Sequence, residues 1–583
     1  MKKGINLVEL LNNAVEFVKI KEFDKAMLIY EEILEKDSMQ PQALSHLAII
    51  YLMKKRYKEA IETVNKSLIV LTPIIGDYHN LAKAYIGLKD YKNAIKAYEN
   101  IIKIDPNTSE NYKFLGNTQM EVADADGAIN SYRKAFELAP EEFESIYNYG
   151  SILATNLHHE TALQFLREAQ EIDPNHIECI NKIGRCLSAI GENEEAKEIY
   201  KKLMVLAPDA VGPNIDYASC LFYEGGYDEP IKILKNVLIK KPDNDVARTN
   251  LGLFHLCKKN FKDGWEYIDS RIILKNNMDV TKRYDMLKRV FELDVNKKRL
   301  KPNEKIIILL DAGLGDVILG LSMLKDFHKK FKNISAEVDY RLVEICKRSF
   351  PDIEFYAIRE NGHEFIINYD LSLFDKGIYW GSLGKYIRQE IMDFPKKEIA
   401  FLNPDIKKLN TINNKLKKEK EIICGISWKS SAAEGRHKTA LLQDLTPIFM
   451  LEGIRFLDLQ YERKSEEGQT GLEKEKLFKE KNIKIENYEG IDKREDIDAL
   501  TALISNCDII VTSSNVTAHI AGALGKKTFL FVPFQRGKLW YWHDKEGPSI
   551  WYPSIKIFSA EYNTGWGKIF EKIAYSIKQE LKL

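Results

Sequence analysis

Cysteine is scarce in this sequence. There are seven in 583 residues, an odd number, and no two stand as a Cys-x-x-Cys pair. That excludes a disulfide framework and a zinc site built on paired thiolates, and it fits a reducing compartment. Net charge is lacking too. The 86 basic residues balance 86 acidic ones, so nothing points to nucleic acid or an anionic membrane as partner. No run of about 20 apolar residues occurs, so no membrane span is expected. The opening residues, MKKGINLVELLNN, place Glu9 and three asparagines where an export signal has its apolar core. The expectation is therefore a cytoplasmic chain without a leader peptide. A chain of 583 residues is too long for one core and should hold three or four domains.

What is present, first of all, is a repeat. Ala26, Ala60, Ala94, Ala128, Ala162 and Ala196 stand 34 residues apart, followed in step by Pro230 and Gly264. A second series at the same spacing runs Ala14, Ala48, Ala82, Gly116, Gly150, Gly184, Ala218, Gly252. Pro106, Pro140, Pro174, Pro208 and Pro242 make a third. This is the tetratricopeptide pattern: small residues let two antiparallel helices approach, and proline ends the second helix. Tyr30, Tyr98, Tyr132 and Tyr200 follow the second-helix alanine by four residues, at a core position. About eight repeats are expected over residues 1–272, stacking into a superhelix whose inner face binds protein or peptide.

Two residues before each small first-helix position stand Asn12, His46, Asn80, Phe114, Asn148, Lys182, Asp216 and Asn250. Asn12, Asn80, Asn148 and Asn250 resemble the asparagine ladder inside the superhelix of O-linked N-acetylglucosamine transferase. An amide both donates and accepts, so such a ladder can bracket an extended peptide backbone. The plainer reading is a polar, solvated inner face. Phe114 and Lys182 interrupt the series.

Residues 273–303 are charged and weakly periodic and read as a helical connector. Two α/β series follow. Lys305 to Leu310 is a β-branched strand, followed by Asp311-Ala-Gly-Leu-Gly-Asp316 and a helix from Val317 to Phe331. Gly313 and Gly315 permit a tight turn and close backbone approach of a ligand, though two glycines are not a full dinucleotide fingerprint. Asp316 is either an N-cap or a general base at the carboxyl edge of the sheet. Ala336 to Tyr340 and Ile353 to Ile358 are further strands, giving a first Rossmann-like domain over 304–405. The second domain, 406–583, has strands at Ile422 to Trp428, Ile454 to Leu459, Asp508 to Val511 and Thr528 to Val532, with helices over Thr439 to Leu451 and Asp496 to Ser505.

The stretch from Asp508 to Phe534 reads strand, polar loop, alanine-rich helix, strand. Its helix begins where Ser513, Ser514, Asn515 and Thr517 offer hydroxyls and backbone N–H groups, with His519 just inside. A helix N-terminus is an anion site, and it is also an ordinary feature of any α/β fold. Lys429, Arg436 and Lys438, in the loop after the strand at 422, could meet the same anion or form a solvated basic loop.

The motifs LLDAGLGDVILGLSML, GISWKSSAAEGRHK, FLDLQY, DIIVTSSNVTAHIAGALGKKTFLFVPF and WYWHDKEGPSIWYPSIKIF occur in an order that resembles heptosyltransferase-like glycosyltransferases of GT-B fold. The resemblance covers roughly residues 260–583 and is greatest to the branch fused behind tetratricopeptide repeats. It implies an all-α tetratricopeptide superhelix followed by an α/β GT-B fold of two Rossmann-like domains. The second domain would bind a nucleotide-sugar, and a final helix near Trp566 to Lys582 would cross back to the first.

Residue by residue, the resemblance implies that Asp316 is the base, that Lys438 binds phosphate, and that Ser513 to His519 is the donor-phosphate loop. Gly313, Gly315, Lys429 and Arg436 join it as donor-side residues, and Trp540 and Trp542 are candidates for stacking on base or sugar. The family pattern has an acidic residue where this chain has Ser513 and Ser514, so ADP-heptose as donor does not follow. No DxD motif stands in the donor loop, and neither metal nor cofactor is expected beyond the nucleotide-sugar itself. The implied activity is inverting transfer to Ser or Thr of a protein acceptor held by the repeats. Some relatives in the repeat-fused branch modify flagellin or other surface proteins. A saccharide or lipid-linked acceptor, or a non-catalytic scaffold, are the alternatives.

Overall fold

The computed structural model describes residues 7–70, 75–274, 300–361, 364–366, 369–416, 421–430, 435–462, 468–534, 536–543, 546–561 and 565–582 (the side chains of 70, 273–274, 360–361, 364–366 and 435–436 excepted). The connector expected over 273–303 falls mostly outside these residues. The chain forms two compact units, Met1–Pro213 and Asn214–Leu583.

The first unit is six helix pairs, from Leu7–Lys19 with Phe23–Lys36 to Ile177–Ile190 with Asn193–Leu206. Ala14, Ala26, Ala60, Ala82, Ala94, Ala128, Ala162 and Ala196 are fully buried, as the 34-residue spacing requires. The glycines show why the positions must be small. A Cβ on Gly116 would lie 2.9 Å from the Tyr132 ring, and one on Gly184 would lie 2.9 Å from that of Tyr200. The second helices ending at Ile104, Leu138, Ile172 and Leu206 each stop two residues before the repeat proline. Within every pair the turn contains one residue in the left-handed region: Lys21, Lys55, Lys89, Ala123, Leu157 and Gly191, with φ from 57° to 97°. These too are 34 apart, and only one is glycine. At the ladder positions Asn12 is exposed while Asn80 and Asn148 are half-buried. His46 takes a hydrogen bond with Tyr30 at 2.8 Å, and Phe114 stacks on Tyr98 with centroids 5.7 Å apart.

The second unit begins inside the repeats. Its first members are the pairs Gly212–Tyr223 with Asp228–Lys240 and Asp245–Cys257 with Phe261–Ile268. Asn250, the last ladder residue, donates to Ser219 Oγ at 3.4 Å. Leu256, Phe261, Trp265 and Ile268 belong to the same apolar core as Ile306 and Ile308 of the first sheet. The repeats therefore do not end at a domain boundary; their last two pairs are part of the α/β body.

The first sheet contains β1 (Lys305–Leu309), β2 (Asn333–Asp339), β3 (Glu354–Asn361), β4 (Glu364–Ile366) and β5 (Lys376–Tyr379), in the order β4-β3-β2-β1-β5. All neighbours are parallel except β3 and β4. The second sheet contains β6 (Ile422–Ser427), β7 (Ile454–Asp458), β8 (Ile485–Glu486), β9 (Ile509–Ser513), β10 (Thr528–Val532), β11 (Gly547–Pro548) and β12 (Ile555–Ser559). Its order is β11-β12-β10-β9-β6-β7-β8, parallel but for β11. Continuous apolar burial along β1, β6, β9 and β10 is what helices on both faces of a parallel sheet demand.

Three expectations need correction. The helix expected over Thr439 to Leu451 is a 3-10 turn, Leu442–Leu445, followed by one α turn, Thr446–Phe449. Pro447 opens the second turn, because proline cannot give the N–H that would continue a helix through it. The cap at the helix carrying Asp316, Leu314–Lys330, is Gly313, and Asp316 is its third residue. The final helix, Gly567–Leu581, buries Ile569, Phe570, Ile573 and Ile577 among Val511, Phe529 and Phe531 of the second sheet, where the resemblance implied a crossing to the first. Among the described residues, no helix is long and apolar enough to cross a membrane.

Candidate functional site

The site forms where the carboxyl ends of β1 and β9 each feed a helix. After β1 the chain turns through Gly313 into Leu314–Lys330, leaving Asp316 exposed in the first helical turn. The Tyr541 hydroxyl donates to Asp316 Oδ1 at 3.0 Å from the second α/β domain. Asp311, the other acid of the motif, is taken by the repeats: Arg271 donates to it at 2.8 Å and to Asp269 at 3.0 Å.

After β9, Ser513 and Ser514 are buried and Val516–Ala523 begins at the cap Asn515. Asn515 does not cap with its side chain. Its Nδ2 instead donates to Ser427 Oγ at 2.7 Å and to the Lys429 carbonyl at 3.1 Å, and its Oδ1 accepts from Thr512 at 3.2 Å. The asparagine thus ties the loop after β6 to the loop after β9. Gln460 does the same from β7, its Oε1 accepting from the backbone N–H groups of Trp428 and Lys429 at 3.0 and 2.8 Å. Ser514 Oγ accepts from Trp542 Nε1 at 2.8 Å. Thr517 Oγ1 is buried with no hydrogen-bond partner among the described residues. An unmatched buried hydroxyl costs about 1–3 kcal/mol, so it is rare without a use.

The two helix starts close on each other. A Cβ on Gly315 would lie 2.8 Å from His519 Cδ2. His519 is wholly enclosed, with ring centroids of Trp542, Tyr541 and Tyr552 at 5.1, 5.3 and 5.8 Å, and its Nδ1 shares a hydrogen bond with Tyr552 Oη at 3.0 Å. Burial, and then the nearby Lys438 ammonium, push the imidazole down to about 3. It is neutral near pH 7.

The expected cations separate. Lys438 is buried, 5% exposed, beside His519. Lys429 pairs with Glu473 at 2.7 Å, so its charge is used within the fold. The Arg436 side chain lies outside the described residues. The stacking role is corrected for Trp542, which has no exposed surface and leaves no ring face for a base or sugar. Trp540 is half-buried and packs edge-on against Trp265 and Trp551, with centroids at 5.4 and 5.6 Å.

Sequence reasoning missed a cavity of about 700 Å³ at the carboxyl ends of β7 and β8. Gln460, Glu462, Thr470, Tyr488 and Lys493 line it. At its floor Asp458 is paired with Lys474 and, at 3.3 Å, with Lys493. Burial lowers the Lys493 ammonium, opposed by Asp458. The motif FLDLQY marked one wall; the other, residues 487–495, has no pattern that announces it. Among the described residues no cluster of His, Cys, Asp or Glu could hold a metal.

Comparison with known proteins bears on the repeats. Residues 20–101 match the family model for anaphase-promoting complex, cyclosome, subunit 3, and residues 115–177 and 177–209 match tetratricopeptide-repeat models. Protein FlbA of Caulobacter vibrioides is 28% identical over 296 residues, which is 47% of this chain and 46% of FlbA. The chain thus spans about half the length of that curated relative. Similar solved structures include YrrB, a tetratricopeptide protein with an unusual peptide-binding site, at 20% identity over 32% of this chain and 96% of that one, with a TM-score of 0.29. MamA is similar at 26% identity over 28% of this chain and 95% of its own, with a TM-score of 0.27.

Proposed function

We propose that this chain is an inverting glycosyltransferase of GT-B fold, moving a sugar from a nucleotide-sugar to Ser or Thr of a protein recruited by the repeats. The observation that carries this reading is the meeting of two helix N-termini, one from each sheet, at Gly315 and His519. That juxtaposition sets a carboxylate on one side and a helix start with a buried lysine on the other. Asp316 takes the proton of the acceptor hydroxyl as its oxygen attacks the anomeric carbon. The bond from that carbon to the phosphate oxygen breaks on the opposite face, and its electron pair leaves on the phosphate. The backbone N–H groups of Val516 and Thr517, the Thr517 hydroxyl and Lys438 receive that charge. A preorganised donor of this kind is worth about 3 kcal/mol, against about 0.3–1 for an exposed helix-dipole contact. The cavity at the carboxyl ends of β7 and β8 takes the nucleoside. No DxD motif stands in the donor loop, so transfer is expected to persist with a chelator present.

The test is mass spectrometry of surface proteins, flagellin first, from cells with and without the gene and from an Asp316→Asn strain. Loss of one sugar mass in both altered strains supports the reading. If no protein changes mass, the protein-acceptor reading fails, and extracted glycans and lipids become the acceptors to assay.

A further inference from the structure

We propose that Tyr541 is a positioning residue for Asp316, working from an aromatic turn whose seat is the last two repeats. The inference rests on the reading of Asp316 as base. The hydrogen bond from Tyr541 to Asp316 spans 225 residues and joins the two α/β domains across the cleft. Asp316 is exposed, whereas Tyr541 is 2% exposed and enclosed by His519, Trp540 and Trp542. An exposed carboxylate is therefore held by a buried donor. Burial and the neighbouring Asp316 charge keep the phenol protonated, so it remains a donor throughout the working range. A hydrogen bond to a carboxylate favours its ionised form, the form a base needs.

The turn itself is fixed from the repeat side. Trp540 meets Trp265 edge-on at 5.4 Å. The Phe534 ring lies 3.1 Å from where a Cβ on Gly225 would sit. The Arg536 guanidinium lies 5.0 Å over the Tyr223 ring, and His543 faces Phe261 at 6.2 Å. Gly225, Tyr223, Phe261 and Trp265 all belong to the final two helix pairs or their turns. Residues 534 and 536–543 thus rest on the repeats on one side, while Tyr541 and Trp542 reach Asp316 and Ser514 on the other.

The experiment uses the full chain and measures acceptor-dependent nucleotide release from UDP-, GDP-, dTDP- and ADP-linked sugars as a function of pH. Tyr541→Phe keeps the ring and removes the donor. Its kcat is expected to fall roughly tenfold with donor KM little changed, and the acid limb of kcat to move up by about one pH unit as Asp316 loses a stabilising hydrogen bond. Trp265→Phe, which shrinks the seat, is expected to move the limb the same way by less. Asp316→Asn separates the two ideas. If it is inactive while Tyr541→Phe leaves the acid limb in place, Tyr541 is only a packing residue and this inference fails alone. An unmoved limb in Trp265→Phe removes the role of the repeats. If Asp316→Asn remains active, or the unaltered chain releases nucleotide from none of the four donors, the base reading falls and takes this inference with it.

Discussion

Gly315 and His519 approach so closely that a single methyl group on the glycine would sit 2.8 Å from the imidazole Cδ2. The ring cannot retreat, because Tyr541, Trp542 and Tyr552 surround it. Gly315→Ala must therefore push the two helix starts apart or strain the ring. Overpacking of this kind costs about 1–3 kcal/mol. The expected outcome is a lower unfolding midpoint together with loss of nucleotide release. A variant with both unchanged would show that the two helix starts are not in contact in solution.

His519 and His543 should make the second unit acid-labile. Burial holds both down to about 3, well under the value of an unfolded histidine. Between about 6.5 and 3 the unfolded chain binds protons that the folded one does not. Their contribution to stability is thus fully present above pH 6.5 and is lost progressively as pH falls toward 3. All seven tryptophans lie between Trp265 and Trp566, so tryptophan fluorescence reports this unit alone. His543 has φ of 49°, and among the described residues both its ring nitrogens are without a hydrogen-bond partner. His543→Asn suits that backbone and removes one titrating group, so its midpoint should fall less steeply between pH 7 and pH 5. An identical slope would contradict the burial of His543.

Arg271 is the charged link between the repeats and β1. Its partners Asp311 and Asp269 have side chains only 5% and 8% exposed. Arg271→Met leaves two buried carboxylates without their cation, and breaking such a pair costs about 3–5 kcal/mol. Urea unfolding followed by tryptophan fluorescence measures this. A change under about 1 kcal/mol would mean that Lys385, 3.7 Å from Asp269, compensates.

Gly191 has φ of 97° and, among the described residues, nothing within 4 Å of where a Cβ would sit. Gly191→Ala therefore meets only backbone strain, roughly 1–2 kcal/mol, partly offset by the lower chain entropy of alanine. A net loss of about 1 kcal/mol is expected in the first unit, read by far-ultraviolet circular dichroism because that unit has no tryptophan. The tryptophan signal should not move.

The repeats were legible because one spacing governs three kinds of residue, and the strands at 305, 422, 509 and 528 because each is an unbroken apolar run. β5 was not, since Lys376–Tyr379 is four residues long and contains Gly377. The left-handed turn positions kept the 34-residue period but carry lysine, alanine and leucine, so no turn chemistry advertised them. Around the site, the two glycine- and serine-rich loops could be read locally, and the structure brings them together. The role of the aromatic turn could not. Trp540 and Trp542 look the same on paper whether they face a ligand or Trp265 and Ser514. Tyr541 gave no sign either, because its partner is 225 residues away.

The compact unit that starts at Asn214 divides the repeats unequally. Six pairs form a unit of their own, and the last two belong to the unit that holds the sheets. Adding or removing a 34-residue module is therefore expected to be tolerated upstream of Pro213 and to destabilise the sheets beyond it. Chimaeras of the repeats should be joined there, and not at the end of the repeats where the sequence period stops.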